Sequence, residues 1–193
     1  MIVTTGGYLV RPLKSTKEIN ELLAAIETMT FAKRNQFLFI LGLNTGLQAS
    51  DLVRLHVSDI IYSASPIIFE ETTNRPRQLH LEGIQDQIKV YTQGMAPHYW
   101  LFPSRKKNKA GYVDHLKVRA VYQMFQVLSR LTGRDDLGTQ TMRKTYGYFY
   151  YLRTKDLTDL QRQFNQSMPN YTLQYIDWQA EDEARSKSLD LGI

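Results

Sequence analysis

The first third of the chain carries apolar residues at the spacing of α-helices. The tetrad Ser15–Glu18 has the composition of a capping box, in which the Ser15 hydroxyl accepts from the third helical amide and Glu18 reaches back to the cap. The apolar residues that follow lie three or four positions apart and share one helix face (Ile19, Leu22, Leu23 and Ile26). The segment therefore predicts an amphipathic first helix.

A second helix is predicted from about residue 31 to residue 43. Its middle holds too many apolar residues for a helix on the surface (Phe37, Leu38, Ile40 and Leu41). Gly46 is suited to a left-handed C-cap and ends it. A short third helix is predicted over residues 49–55.

The middle of the chain has the pattern of strands. Residues 65–70 and 78–81 are predicted as two antiparallel strands, joined by a polar turn at residues 72–77. A helix follows at about residues 83–91. A short apolar segment at residues 100–104 precedes the basic run Arg105–Lys109, which is typical of a solvated loop.

The last third is predicted to be helical again. A long amphipathic helix from about residue 118 ends at Gly133, two more cover about residues 140–153 and 157–164, and Pro169 opens a short helix that carries Tyr175. The predicted fold class is mainly α with a small antiparallel β-sheet. We divide the chain into an extended N-terminal segment (residues 1–14), one domain (15–176) and a C-terminal tail (177–193).

Composition excludes several classes of function. The 193 residues include no cysteine, so disulfides and cysteine-based metal sites are excluded and a reducing, cytoplasmic location is expected. The four histidines show no ligand spacing, and neither a metal nor a cofactor is predicted. No apolar run approaches the roughly 20 residues that span a bilayer, and the start lacks the pattern of a signal peptide. The net charge of +5 modestly favours a polyanionic partner.

Three motifs follow one another towards the end of the chain. They are Thr139–Gly147 (Thr-Gln-Thr-Met-Arg-Lys-Thr-Tyr-Gly), Phe164–Ser167 (Phe-Asn-Gln-Ser) and Tyr171–Ile176 (Tyr-Thr-Leu-Gln-Tyr-Ile). Their order resembles the catalytic end of the tyrosine recombinase (phage integrase) family, which has a His-x-x-Arg helix, a Gly/Asn-His-Ser corner and a nucleophilic tyrosine. The resemblance assigns Arg143 to the second phosphate-binding arginine and Tyr175 to the nucleophile. Glutamine stands at both histidine places, as Gln140 and Gln166.

Further motifs extend the resemblance to most of the chain. Leu41–Leu52 is similar to the family's Thr-Gly-Leu-Arg-x-Ser-Glu/Asp-Leu box, with Gln48 at the first phosphate-binding arginine. Glu71–Arg75 resembles the hairpin turn that carries the catalytic lysine, and Thr72 occupies that place; Leu101–Ser104 resembles the segment before the third large helix. The pattern is closest to stand-alone integrase-like proteins from mobile elements of Gram-positive bacteria. It implies the tyrosine recombinase catalytic-domain fold. The residues before the first helix are too few for the family's core-binding domain, so we expect only the catalytic domain.

The chemistry of the family explains why these substitutions matter. Its tyrosine attacks a phosphodiester and forms a 3′-phosphotyrosyl bond, while two guanidiniums stabilise the charge on the nonbridging oxygens. The lysine and the histidines protonate the departing 5′-oxygen. Glutamine and threonine supply neither the charge nor the proton, and each such loss costs about 10²- to 10⁴-fold in rate. Four losses together predict a protein that is deficient in strand cleavage.

The resemblance implies double-stranded DNA as the partner. The residues predicted to contact its phosphates are Arg75, Arg77, Lys106, Lys107, Arg143 and Lys144. Two alternatives stay open: Arg105–Lys109 is a solvated loop or a contact to the DNA backbone, and the three glutamines are free of any role or donate to phosphate. The aromatic residues after Arg143 are predicted to pack in the core (Tyr146, Tyr148, Phe149, Tyr150 and Tyr151).

Three functions are compatible with these motifs. The favoured one is a sequence-specific DNA-binding protein that acts as a regulator or accessory subunit. The second is an active site-specific recombinase that cuts and rejoins DNA through Tyr175. The third is an interaction protein whose C-terminal tail docks on a related recombinase or on a second copy of the chain.

Overall fold

The computed structural model describes residues 9–71, 73–107 and 110–189, with side chains described as far as residue 185. The helices are α1 (Thr16–Glu27), α2 (Ala32–Thr45), α3 (Ala49–Leu52), α4 (Ser58–Ile61), α5 (Gln85–Thr92), α6 (Val118–Thr132), α7 (Thr141–Thr154), α8 (Leu157–Phe164), α9 (Pro169–Tyr175) and α10 (Ala180–Leu189). The strands are β1 (Ile67–Phe69), β2 (Pro76–Gln78), β3 (Pro103–Lys107) and β4 (Val113–His115), and a 3₁₀ turn at Glu82–Ile84 precedes α5. The predicted fold class, mainly α with small antiparallel sheets, is confirmed.

Helix α1 begins at the predicted cap. The Ser15 hydroxyl accepts from the Glu18 amide at 3.2 Å, as expected of a capping box. The Glu18 carboxylate, however, accepts from the Ser15 hydroxyl and from the amide of Lys14 at 2.8 Å. The cap therefore also fixes the end of the extended segment that precedes α1.

Helix α2 lies at the centre of the core and packs against α1, α5 and α7. A Cβ added at Gly42 would lie 2.5 Å from Met142 Sδ, so α2 and α7 approach each other more closely than another residue would allow. Gly46 ends α2 in the predicted left-handed conformation, with φ of 61°. This packing brings the end of α2 next to the first turn of α7.

The strands differ from the prediction in two ways. The second strand begins at Pro76 rather than at residue 78. The apolar pattern did not predict this, because the residue that this strand buries is the charged Arg77 and its neighbours are exposed. A second hairpin, β3–β4, replaces the loop expected at residues 105–107. Its basic side chains are exposed, so neither strand shows the apolar alternation by which strands are recognised.

The C-terminal third has its own small core around α7. Tyr148, Leu152, Leu160, Phe164 and Ile176 are buried together, and the aromatic residues that follow Arg143 pack there as predicted. Residues predicted as a tail form α10, which docks on the same chain. Within the described part of the chain, no helix is both long and apolar enough to cross a bilayer.

Candidate functional site

A cleft of about 290 Å³ opens where the starts of α3, α6 and α7 meet the end of α8 and of α9. Its described lining consists of Gln48, Ala49, Ser50, Val118, Thr139, Gln140, Arg143, Phe164, Gln166 and Tyr175. Five positions that the sequence motifs single out therefore lie in one cleft: Gln48, Gln140, Arg143, Gln166 and Tyr175. Thr72, the sixth such position, lies outside the described residues.

The backbone places each glutamine at the boundary of a helix. The Gln48 carbonyl accepts from the amides of Asp51 and Leu52 in α3, and Gln140 is the residue before α7, with no capping bond from its side chain. Gln166 follows Asn165, which ends α8 in a left-handed conformation with φ of 52°. The Gln166 Oε1 atom is buried without a hydrogen-bond partner among the described residues. Among the residues that the structure describes, the side chains of these three glutamines form no hydrogen bond, which leaves them available to a ligand.

Arg143 is the only charged residue among the described residues that line the cleft. Its Nη1 donates to the Gly46 carbonyl at 2.6 Å, and its guanidinium lies 4.3 Å from the centre of the Phe164 ring. Burial lowers the pKa of Arg143, and the nearby charge of Arg77 adds to this effect. The guanidinium still stays protonated at any physiological pH, so the cleft holds a buried, fixed positive charge.

Tyr175 lies against this charge. Both residues line the cleft, and the Phe164 ring, on which the Arg143 guanidinium stacks, meets the Tyr175 ring edge-on at 5.5 Å. Burial raises the pKa of Tyr175, and the nearby charge of Arg143 opposes this only in part. The phenol is therefore neutral at pH 7 and would have to lose its proton before it could attack a phosphodiester.

The predicted DNA-contacting residues of the β1–β2 hairpin behave differently from one another. Arg75 is exposed, and its Nη1 donates to Asn165 Oδ1 at 2.7 Å, so the hairpin rests on the corner that carries Gln166. Arg77 is buried and donates to the carbonyls of Thr45 and Gln163 at 2.7 and 2.6 Å. The structure thus corrects the placement of Arg77, which braces the hairpin from inside rather than facing a partner.

Lys144 needs the same correction. It is buried, and its ammonium donates to the Val10 carbonyl at 2.7 Å instead of pointing outwards. Lys106 and Lys107 are exposed on β3, as expected of surface contacts, but neither lines the cleft. Lys106 borders a larger cavity of about 690 Å³, between the α1–α2 connection and α6, whose described lining includes Arg34 and Arg105 but no carboxylate.

The cleft has the chemistry of an anion site without an acid. It combines one guanidinium with neutral donors, and its described lining contains no carboxylate, ammonium or imidazole. Two residues with hydroxyl groups, Ser50 and Thr139, also line the cleft. Both lie inside the recognised motifs, but serine and threonine are too common for the sequence alone to indicate a role in the site. A phosphate could be held by charge-assisted and neutral hydrogen bonds. No described side chain of the lining could protonate a departing 5′-oxygen at neutral pH.

Solved structures define the fold class. The chain aligns with XerA recombinase at a TM-score of 0.70 and 14% identity, covering 97% of this chain and 66% of that one. It aligns with XerH recombinase bound to a palindromic difH substrate at 0.68 and 18% identity, covering 95% and 54%. It aligns with a lambda integrase (75–356) dimer bound to a COC′ core site at 0.64 and 14% identity, covering 89% and 61%. The fold is that of tyrosine recombinase catalytic domains, and the chain spans about half to two thirds of these proteins.

Sequence comparison gives the family. Residues 15–182 match the model of the phage integrase family. The chain is 34% identical over 170 residues to the probable integrase/recombinase YoeC of Bacillus subtilis (strain 168), covering 88% of this chain and 90% of that protein. The chain belongs to the phage integrase family.

Proposed function

We propose that this protein binds double-stranded DNA through the cleft and is deficient in strand cleavage, acting as a regulator or accessory subunit. The observation that carries the proposal is the cleft itself, which surrounds one guanidinium with three glutamines. Arg143 would contact a phosphate, and the glutamine side chains would donate to its remaining oxygens. The exposed Arg75 and the basic strand β3 would contact the backbone on either side.

The shortage of charge supports the deficiency in cleavage. The family's reaction uses two guanidiniums, and Gln48 supplies at most a neutral hydrogen bond where the first one stands. Removing one preorganised donor costs about 10²- to 10³-fold in rate. Gln140 and Gln166 have no titratable proton, and the sequence has threonine at position 72. The proton that the 5′-oxygen needs therefore has no donor at any of these positions.

One observation favours the alternative of an active recombinase. Tyr175 lines the cleft beside Arg143, which is where a nucleophile would stand. Catalysis would then have to use an acid from outside the four substituted positions. The proposal of a tail that docks on a neighbour has less support, because α10 is bound by its own chain through Lys14 and Tyr148.

Covalent trapping distinguishes binding from cleavage. A duplex site is first selected from a random library by repeated rounds of binding, and is then nicked so that a phosphotyrosyl intermediate would accumulate. We expect no adduct above the Tyr175→Phe background for the unmodified protein. The combined variant Gln48→Arg, Thr72→Lys, Gln140→His and Gln166→His should form a Tyr175-dependent adduct. An adduct of the unmodified protein that disappears in Tyr175→Phe would refute the deficiency.

A further inference from the structure

The buried ammonium of Lys144 lies against the ring of Tyr175. Lys144 is 7% exposed and donates a hydrogen bond to a backbone carbonyl, that of Val10. Within the described residues it forms no ion pair with a carboxylate at 4.0 Å or less. Its Nζ lies 5.0 Å from the centre of the Tyr175 ring. A lysine buried in this way lowers the stability of the fold unless something else is gained, so its position requires an explanation.

The Val10 carbonyl belongs to an extended segment, residues 9–14, which we call the strap. Besides the bond from Lys144 and the contacts of Lys14, three contacts of Val10, Arg11 and Leu13 fix the strap. The Arg11 amide donates to the Asp136 carbonyl at 2.9 Å, and the Leu13 amide donates to Thr145 Oγ1 at 2.8 Å. The Val10 side chain lies so close to Gly138 that a Cβ added there would be 2.7 Å from Val10 Cγ2. The strap therefore holds a fixed position against the start of α7.

These contacts form one continuous path from the strap to the cleft. The Val10 carbonyl accepts from the ammonium of Lys144, the ammonium lies over the Tyr175 ring, and Tyr175 lines the cleft beside Arg143. The Phe164 ring meets the same tyrosine edge-on. A cation over an aromatic ring is attracted to it, most strongly where water is excluded. Lys144 thereby limits where the ring, and with it the hydroxyl, can lie.

We propose that Lys144 is a positioning residue for Tyr175, and that the strap sets its position through the Val10 carbonyl. The role goes beyond DNA binding, because it concerns the placement of Tyr175 in the free protein. Displacement of the strap, residues 9–14, is expected to release the ammonium and then the ring. Burial lowers the pKa of Lys144, and the charge of Asp177 opposes this only in part, which agrees with an ammonium enclosed by the strap, α7 and the Tyr175 ring.

The test measures the reactivity of Tyr175 in the full chain without DNA, so its result is independent of the proposed function. Tetranitromethane nitrates accessible tyrosines, and mass spectrometry of peptides gives the rate at each tyrosine. Lys144→Met removes the charge over the ring, and we expect Tyr175 to be nitrated at least about 3-fold faster. Lys144→Arg restores a cation and a donor, and should return the rate close to that of the unmodified protein.

The chain offers a matched control for the loss of charge. Lys155 also lies over aromatic rings, 4.3 Å from Trp178 and 5.1 Å from Tyr151, but at the C-terminal end of α7, whereas Lys144 lies near its start. Lys155→Met should raise the nitration of Tyr151 and leave Tyr175 unchanged. Equal acceleration of Tyr148, Tyr150 and Tyr175 in Lys144→Met would mean general loosening of the fold and would overturn the proposal.

A second variant tests the strap without changing Lys144 or Tyr175. Gly138→Ala places a Cβ against Val10 and must displace it, whereas Gly83→Ala meets nothing within 4 Å and serves as its control. We expect Gly138→Ala, but not Gly83→Ala, to accelerate the nitration of Tyr175. Gly138→Ala also answers the question if Lys144→Met does not fold. An unchanged rate at Tyr175 in either Lys144→Met or Gly138→Ala overturns the proposed connection.

Discussion

Substitution of Arg143 by alanine should weaken DNA binding far more than substitution of Tyr175 by phenylalanine. Arg143→Ala removes the single charge that lines the described part of the cleft, and a hydrogen bond to a charged group contributes about 1.5 to 3 kcal/mol. At about 1.4 kcal/mol for each factor of ten, the dissociation constant should rise roughly 10- to 150-fold. Tyr175→Phe deletes one neutral hydroxyl and no charge, so the expected change in affinity is small.

The salt dependence adds a second, independent measure. If Arg143 neutralises one phosphate, Arg143→Ala should reduce the slope of log K against log salt by about 0.9. Fluorescence anisotropy with a labelled duplex at several salt concentrations gives both the affinity and this slope. Tyr175→Phe should leave the slope unchanged.

The control has to account for the contacts that Arg143 makes within the fold. Arg143 bonds to Gly46 and stacks on Phe164, so its removal also lowers stability. Arg34→Ala is a suitable control for Arg143→Ala, because Arg34 also stacks on a phenylalanine, Phe31, at 4.9 Å. Arg34 lies near the start of α2, roughly 18 Å along the helix from Gly46, to which Arg143 bonds. If Arg34→Ala weakens binding as much as Arg143→Ala at temperatures where both are folded, or if Tyr175→Phe costs as much, Arg143 does not contact phosphate.

Two further predictions concern the basic hairpin and the C-terminal helix. The double variant Lys106→Ser, Lys107→Ser should reduce the slope of log K against log salt by about 0.9 for each phosphate that is no longer neutralised. Lys17→Ser, on the exposed face of α1, should leave this slope unchanged. Equal slopes for the double variant and the unmodified protein would mean that β3 does not contact DNA. Burial alone would raise the pKa of Asp182, but hydrogen bonds from Lys14 and Tyr148 lower this pKa overall. The ionised Asp182 therefore stabilises the fold above the ordinary aspartate pKa, and this stabilisation is lost as the pH falls through the pKa of the folded protein. Asp182→Asn should accordingly destabilise the protein at pH 7 in thermal unfolding, with a difference from the unmodified protein that shrinks below about pH 4; a pH-independent difference would contradict this.

Sequence motifs predicted the composition of the cleft because they lie at the boundaries of helices. Gln48, Gln140 and Gln166 each stand where a helix begins or a corner follows one, and such positions are determined locally by caps and left-handed residues. Which boundaries meet does not follow from the caps; it was expected from the resemblance to the tyrosine recombinase family. The resemblance therefore predicted that these residues would lie with Arg143 and Tyr175 in one site.

The direction of individual charged side chains could not be predicted in this way. Arg77 and Lys144 were predicted to contact DNA phosphates, yet both are buried and donate to backbone carbonyls that are distant in sequence. Nothing in the local pattern indicates that Val10 will lie beside Lys144, 134 residues away. The β3–β4 hairpin escapes prediction for a related reason, because its polar residues are exposed and its pairing depends on the surrounding fold.

The position of Arg143 is fixed by the fold as well as by any ligand. Its guanidinium joins the end of α2, at Gly46, to the Phe164 ring at the end of α8, and Gly46 is itself packed so closely that a Cβ would lie 2.3 Å from the Tyr146 ring. A buried arginine in this place would hold these elements together even if nothing entered the cleft. The three glutamines differ from Arg143 in this respect, because they are only partly buried and their side chains make few contacts that stabilise the fold. Replacing them should change affinity without changing stability, whereas Arg143 must be measured for both.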